Sequence, residues 1–192
     1  MKKSILVCLA FLVQACTVTV VQPYDEKLVS ATEAFYKETA LGLEKAREIS
    51  PNNRNLPDGS TASDSLGHLS KHINFYSNAK IGANSLIIRA MINTEKVDKI
   101  ATDVHKQIEK LISQSLPSNC SNDKAQVTGT VTLTLQNYLD LKCLITYWEV
   151  QHSTATHQIL KKTNWESRQL SLMGMIVSIQ KAESFKTKVT VN

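Results

Sequence analysis

The stretch DEKLVSATEAFYKETALGLEKAREISP, residues 25–51, decides how this chain is built. Leu28, Ala31, Phe35, Gly42, Ala46 and Ile49 recur at helical spacing, while Glu33, Lys37, Glu38, Glu44, Lys45 and Glu48 fall largely outside their face. An apolar stripe beside a charged remainder predicts an amphipathic helix buried along one side. Asp25 is placed to cap its start, with Glu26 near the positive end of the helix dipole. Pro51 disfavours helical backbone at Ser50 and predicts the stop.

The same spacing recurs downstream. Residues 50–62 are polar, without apolar period, and predict an exposed, mobile loop. From Asp64 a second helix is expected, with Leu66, Leu69, Ile73, Tyr76, Ala83, Ile87 and Ala90 inward. Val97, Ile100, Val104, Ile108 and Leu111 continue the pattern as a third helix, or as a longer second one, up to Pro117. Residues 131–135 alternate like a strand, but five residues without a partner make a poor sheet and read instead as a helix entry. The fourth helix is expected to carry Tyr138, Leu141, Ile145, Trp148, Ala155 and Ile159. Asn164 then caps a fifth with Leu172, Ile176, Ile179 and Ala182, and the tail from Lys186 to Asn192 is expected to fray. Residues 24–192 are thus predicted to form an all-α, antiparallel helical bundle of four to five helices.

The residues before this domain have a different character. Lys2 and Lys3 precede nine unbroken apolar residues, Ile5 to Val13, and Val13-Gln14-Ala15-Cys16 follows. A bilayer-spanning helix needs about 20 apolar residues, so a basic start with a short apolar run reads as a removable signal peptide, residues 1–15. With Ala15 before Cys16, the stretch resembles the lipobox of bacterial lipoprotein precursors; Gln14 departs from the small residue usual there. The resemblance implies cleavage before Cys16 and acylation of that cysteine, palmitate included. Thr17 stands where Asp would signal retention in the inner membrane of enteric bacteria, so the resemblance implies an outer-membrane anchor facing the periplasm. Residues 16–23 are then the lipidated cysteine and its tether. Seven extended residues, 17–23, reach at most roughly 25 Å.

Composition narrows the partners. The chain carries 22 Lys and Arg against 17 Asp and Glu. Losing Lys2 and Lys3 with the signal leaves 20 against 17, a net charge of +3. That suits contact with anionic headgroups and falls short of the dense basic patch of a nucleic-acid binder. Of the four cysteines, Cys8 leaves with the signal and Cys16 takes the lipid. Cys120 and Cys143 remain as one pair with one connectivity, and an oxidising periplasm favours a disulfide over two separate buried thiols.

Cys16 and its tether, Tyr24-Asp25, Phe75-Tyr76, Arg89-Ala90 and Ile179-Gln180-Lys181-Ala182-Glu183 together resemble small helical envelope lipoproteins of Gram-negative bacteria. That resemblance implies a fold and an address, and no activity.

A search for chemistry gives little. His68 and His72, four apart on the expected second helix, with Asp64 one turn before, form the best candidate metal set. No Gly-x-Ser-x-Gly elbow, phosphate-binding glycine run or Cys-x-x-Cys pair occurs. Tyr147, Trp148 and Trp165 are expected in the core or at its edge. The reading is therefore a non-enzymatic binding or scaffold module without cofactor. It is held to the bilayer by Cys16 and binds an envelope protein through an exposed helix face or the loop 51–62, with no nucleic-acid partner. Metal or small-ligand capture is one alternative; a phage- or plasmid-type lipoprotein that blocks a receptor is another.

Overall fold

The computed structural model describes residues 24–92 and 132–189. Four long helices account for most of them: α1 (Glu26–Ile49), α2 (Ile73–Ile92), α3 (Leu133–Ser153) and α4 (Lys162–Val189). The expected third helix, 95–116, lies outside the described residues.

The fold is an antiparallel bundle. α1 packs on α4 and α2, and α3 packs on α2 and α4, so the helices stand at the corners of a square in chain order. Side-chain bonds fix the directions. Gln169 and Gln180 of α4 reach back to Glu44 and Glu33 of α1. Lys80 of α2 meets Glu149 of α3 at 2.6 Å. Thr134 of α3 bonds Glu183 of α4. Leu28, Leu43, Tyr76, Leu141, Trp165 and Leu172 are among the fully buried residues along the axis. Leu-rich stripes buried this way are the main driving force, at roughly 25 cal/mol per Å² of apolar surface removed from water.

Asp25 caps α1 as the sequence suggested, accepting from the Lys27 amide at 2.9 Å. Its other oxygen faces Arg89 at 3.4 Å, which ties two of the short motifs, Tyr24-Asp25 and Arg89-Ala90, across α1 and α2. At Ser50 the chain leaves the helix with φ −74° and ψ 150°, as Pro51 requires.

Four expectations are corrected. The second helix begins at Ile73, not near Asp64. Residues 62–64 and 69–71 form only single 3₁₀ turns, and Leu66 is exposed. The cause is tertiary: the Leu69 amide donates to the Gln158 carbonyl, and the Leu160 amide to the Gly67 carbonyl, in an antiparallel bridge. Those groups are therefore lost to helical bonding. α3 stops at Ser153 rather than near Ile159, because the Thr154 hydroxyl takes the Gln151 carbonyl and competes with the next helical amide. Asn164 acts from inside α4, its side chain accepting from the Lys161 amide at 3.0 Å. Lys186 is buried and ion-paired within α4, which runs to Val189, so the expected tail is helical over 186–189, and residues 190–192 lie outside the described residues.

Two ends result. The loop end holds residues 50–72, residues 154–161, the starts of α2 and α4 and the C-terminal ends of α1 and α3. The entry end holds the starts of α1 and α3 and the C-terminal ends of α2 and α4.

Candidate functional site

A groove of about 470 Å³ runs between α1 and α2. Its floor is set by a reciprocal pair of contacts. Phe35 of α1 lies over Gly82 of α2, where an added Cβ would stand 2.8 Å from the ring. Phe75 of α2 lies over Gly42 of α1, with the corresponding distance 2.7 Å. Any larger residue at either glycine would push a ring aside, so the glycines let the helices approach while the rings wall the groove. Lys45, Glu38, Glu48 and Lys71 stand along its rim and His72 at its loop end. An apolar floor under a rim of mixed charge accepts an apolar group and orients it through a few polar contacts.

The sequence carries a signal for this groove. Phe35-Tyr36 precedes Gly42, and Phe75-Tyr76 precedes Gly82, with seven residues from Phe to Gly in each helix. Two antiparallel helices carrying the same motif place each Phe opposite the other's Gly.

Behind the groove, at the loop end, lies a buried polar cluster around Trp165. Its indole N–H donates to the Ser50 hydroxyl at 2.7 Å, which pins the start of α4 to the end of α1. His72 and His152 pack on its ring at centroid distances of 4.7 and 5.7 Å. Arg168 is 3% exposed, and no carboxylate among the described residues pairs with it. Its guanidinium carbon lies 5.0 Å from the Trp165 ring centroid, with the Tyr76 and Trp148 rings at 5.7 and 5.8 Å. It donates to the Tyr76 hydroxyl, to the Trp148 carbonyl at 2.9 Å and to the Gln151 side chain. Aromatic faces and neutral acceptors thus replace a counter-ion.

The direction of this relay follows from its ends. A carbonyl only accepts, so His152 Nε2 donates to the Gly67 carbonyl, 3.0 Å away. His152 Nδ1 then accepts from the Tyr76 hydroxyl at 2.9 Å, and the Tyr76 oxygen accepts from Arg168. Burial holds His152 neutral and pushes its pKa down to about 3, with Arg168 adding to the effect. Burial likewise lowers His72, whose Nε2 donates to the Leu66 carbonyl at 2.9 Å, and raises Tyr76. These groups spend their polar atoms on one another and on the backbone, and no buried side-chain N or O among the described residues lacks a partner.

The candidate metal residues fare differently from expectation. His68 and His72 do not share a helix face: His68 starts one 3₁₀ turn with extended backbone, and His72 ends it. His68 bonds Ser70, and Asp64 is taken up by the amide and hydroxyl of Thr61. Among the described residues no three His, Cys, Asp or Glu side chains converge at metal-binding separation. Cys143 is disulfide-bonded. It is the one cysteine among the described residues, so its partner lies outside them, as do Cys120 and Cys16. Trp148 and Trp165 are core residues, while Tyr147 is exposed. The loop 51–62 is largely exposed but anchored, by the Pro51 carbonyl to the Lys162 amide and by Arg54 to the Ile159 carbonyl. No helix among the described residues is long and apolar enough to cross a membrane. Arg168 and His152, which carry no motif in the sequence, sit at core positions among aromatic neighbours; Arg168 follows Trp165 by three and precedes Leu172 by four, which is the buried spacing.

No protein-family model, curated protein or solved structure matches the chain.

Proposed function

We propose that this chain is a lipid-anchored binding module of the cell envelope, acting without catalysis. Cys16 carries the lipid, residues 17–23 form the tether, and the α1–α2 groove receives an apolar side chain of an envelope protein. The groove carries this reading: it is an accessible concavity with an apolar floor, whereas the titratable cluster behind it, which reaches the groove only at His72, is internally satisfied. The disulfide at Cys143 supports an oxidising compartment, where such bonds persist. The sequence pattern ending in Ala15-Cys16 supports the anchor, and Thr17 supports the outer membrane.

The test has two arms. A palmitate analogue should label the protein in cells, and Cys16→Ala should remove the label; label retained in that variant rejects the anchor. A photo-crosslinking residue at Asn78, on the exposed rim, should trap one discrete envelope protein, while the same residue at Ser171 of α4 should not. Equal trapping from both positions rejects the groove as the docking site. The groove's volume also lies in the range of small-molecule sites. That second reading predicts a low-mass apolar ligand in native mass spectra, displaced by Asn78→Trp.

A further inference from the structure

Two imidazoles from different elements hold successive carbonyls of one loop. His72, just before α2, donates to the Leu66 carbonyl, and His152, near the end of α3, donates to the Gly67 carbonyl. Their rings lie 5.7 Å apart, and Trp165 contacts both. Gly67 is the tightest point of that loop: a Cβ there would collide with the Leu160 carbonyl oxygen and stand 2.8 Å from Pro51. Its carbonyl accepts from both His152 and the Leu160 amide, so the histidine and the inter-loop bridge converge on one atom. We propose that His72 and His152 form an acid-released latch, which in neutral form clamps the Leu66–Gly67 segment to the bundle and on proton uptake frees residues 62–72 while the four helices persist.

The Leu66 and Gly67 carbonyl bonds by themselves favour charged rings, but the cost of burying the charge outweighs them at both, and at His152 the hydrogen-bond directions oppose a proton as well. In the closed state His152 Nδ1 is an acceptor for the Tyr76 hydroxyl, and the Tyr76 oxygen accepts from Arg168. A proton on Nδ1 turns the acceptor into a donor. Tyr76 would then face two donors, and its own hydrogen would lose its acceptor inside the core. The charges around the pair add to this. Arg168 of α4 and His68 of the loop face both imidazoles, and each imidazole faces the other. Of the other groups at this end, Tyr76 of α2 is neutral, Glu149 of α3 is tied to Lys80, α1 contributes the Ser50 hydroxyl through Trp165, and Lys45 and Glu48 of α1 with Lys71 of the loop line the groove that His72 closes. No carboxylate among the described residues pairs with Arg168 or either ring. Release costs little structure, because the loop is held by a few backbone bonds and Leu66 is already exposed. His72 also lines the groove, so the latch is coupled to the groove's loop end.

Amide hydrogen exchange on the full-length protein, corrected for intrinsic rates, tests the latch. The probes are the Leu69 and Leu160 amides, which bond across the two loops, against amides inside α2 and α3. Between pH 6.5 and 4.5 their protection should fall about tenfold per pH unit for each proton taken up on opening, while helix protection stays level. His152→Gln with His72→Gln should flatten the loop profile. Should that double variant fail to fold, imidazole nitrogen shifts of the wild type decide instead: both rings should read as neutral, Nε2-protonated tautomers at pH 6.5 and gain charge with the same midpoint as loop exchange. Loop protection that does not change with pH, or that falls only in parallel with the helices, overturns the proposal. So does a ring whose titration is unrelated to loop exchange.

Discussion

The loop end and the entry end of the bundle each bury a cation, and they neutralise it differently. At the loop end Arg168 is wrapped by three aromatic faces and bonded to neutral acceptors. At the entry end Lys186 is paired with Glu183 at 2.7 Å, and both reach Thr134. Thr32 and Tyr138 add a neutral hydroxyl pair at 2.8 Å nearby, with the Tyr138 phenol pushed up to about 12 by burial. The delocalised guanidinium can be spread over π faces; the compact ammonium needs a carboxylate. One end is therefore a charge held by geometry, and the other a charge held by charge.

The largest expected effect comes from breaking the pair. Lys186→Met should leave the Glu183 carboxylate buried and uncompensated, at a cost of about 3–5 kcal/mol in urea unfolding at neutral pH. Combining it with Glu183→Leu should recover most of that loss. A small cost for Lys186→Met alone would show that water reaches this end.

Arg168→Met should cost less, about 1–3 kcal/mol, since it removes a charge without stranding an opposite one. What is lost is the donor to Tyr76 and to the Trp148 carbonyl. If it proves more damaging than Lys186→Met, the aromatic cage contributes more than the ion pair and the comparison inverts.

Much of this architecture can be read in the sequence. Stripes such as Leu172, Ile176 and Ile179 have one period and one meaning, and Asp25 and Pro51 act through neighbours in the chain. What stayed hidden depends on distant partners. His68 and His72 have a helical spacing, yet residues 158–160 capture the backbone between Gly67 and Leu69 and prevent the helix. Thr32, Thr39, Arg168 and Glu183 are polar by type and buried in fact, and three of them take partners from another helix, Thr32 and Glu183 as well as from their own: Thr32 from Tyr138, Arg168 from Tyr76 and Glu183 from Thr134, beside its pair with Lys186. The groove was legible in principle, through the repeated Phe-Tyr and Gly spacing, but its meaning needs the antiparallel pairing of α1 with α2.

Acid separates the ends as well. His152 has a pKa of about 3 when folded, below the ordinary value of 6.5, so the unfolded chain binds the proton more readily. Its contribution to stability is complete above pH 6.5 and is lost as pH falls from there toward 3. The slope is up to about 1.4 kcal/mol per pH unit, and His72 acts in the same direction. His152→Gln should lower that slope in urea midpoints measured from pH 7 to 4, whereas Thr32→Val, at the entry end, should leave it unchanged.

The smallest expected effect concerns Asp25, which does two things at the entry end. One oxygen caps α1 through the Lys27 amide at 2.9 Å, and the other faces Arg89 at 3.4 Å. The Arg89 side chain is over a third exposed, so solvent screens the pair and its share is small. The cap satisfies an amide that the helix itself leaves open, and such caps contribute about 1 kcal/mol. Asn keeps the capping oxygen and discards the charge; Ala discards both. Asp25→Asn should therefore change stability by no more than a few tenths of a kcal/mol, and Asp25→Ala should cost about 1 kcal/mol. Equal losses from the two variants would mean that the charge on Arg89, not the cap, holds α1 to α2. The entry end would then rely on ion pairs at its surface as well as in its core, and would stand further from the loop end than the buried networks alone imply.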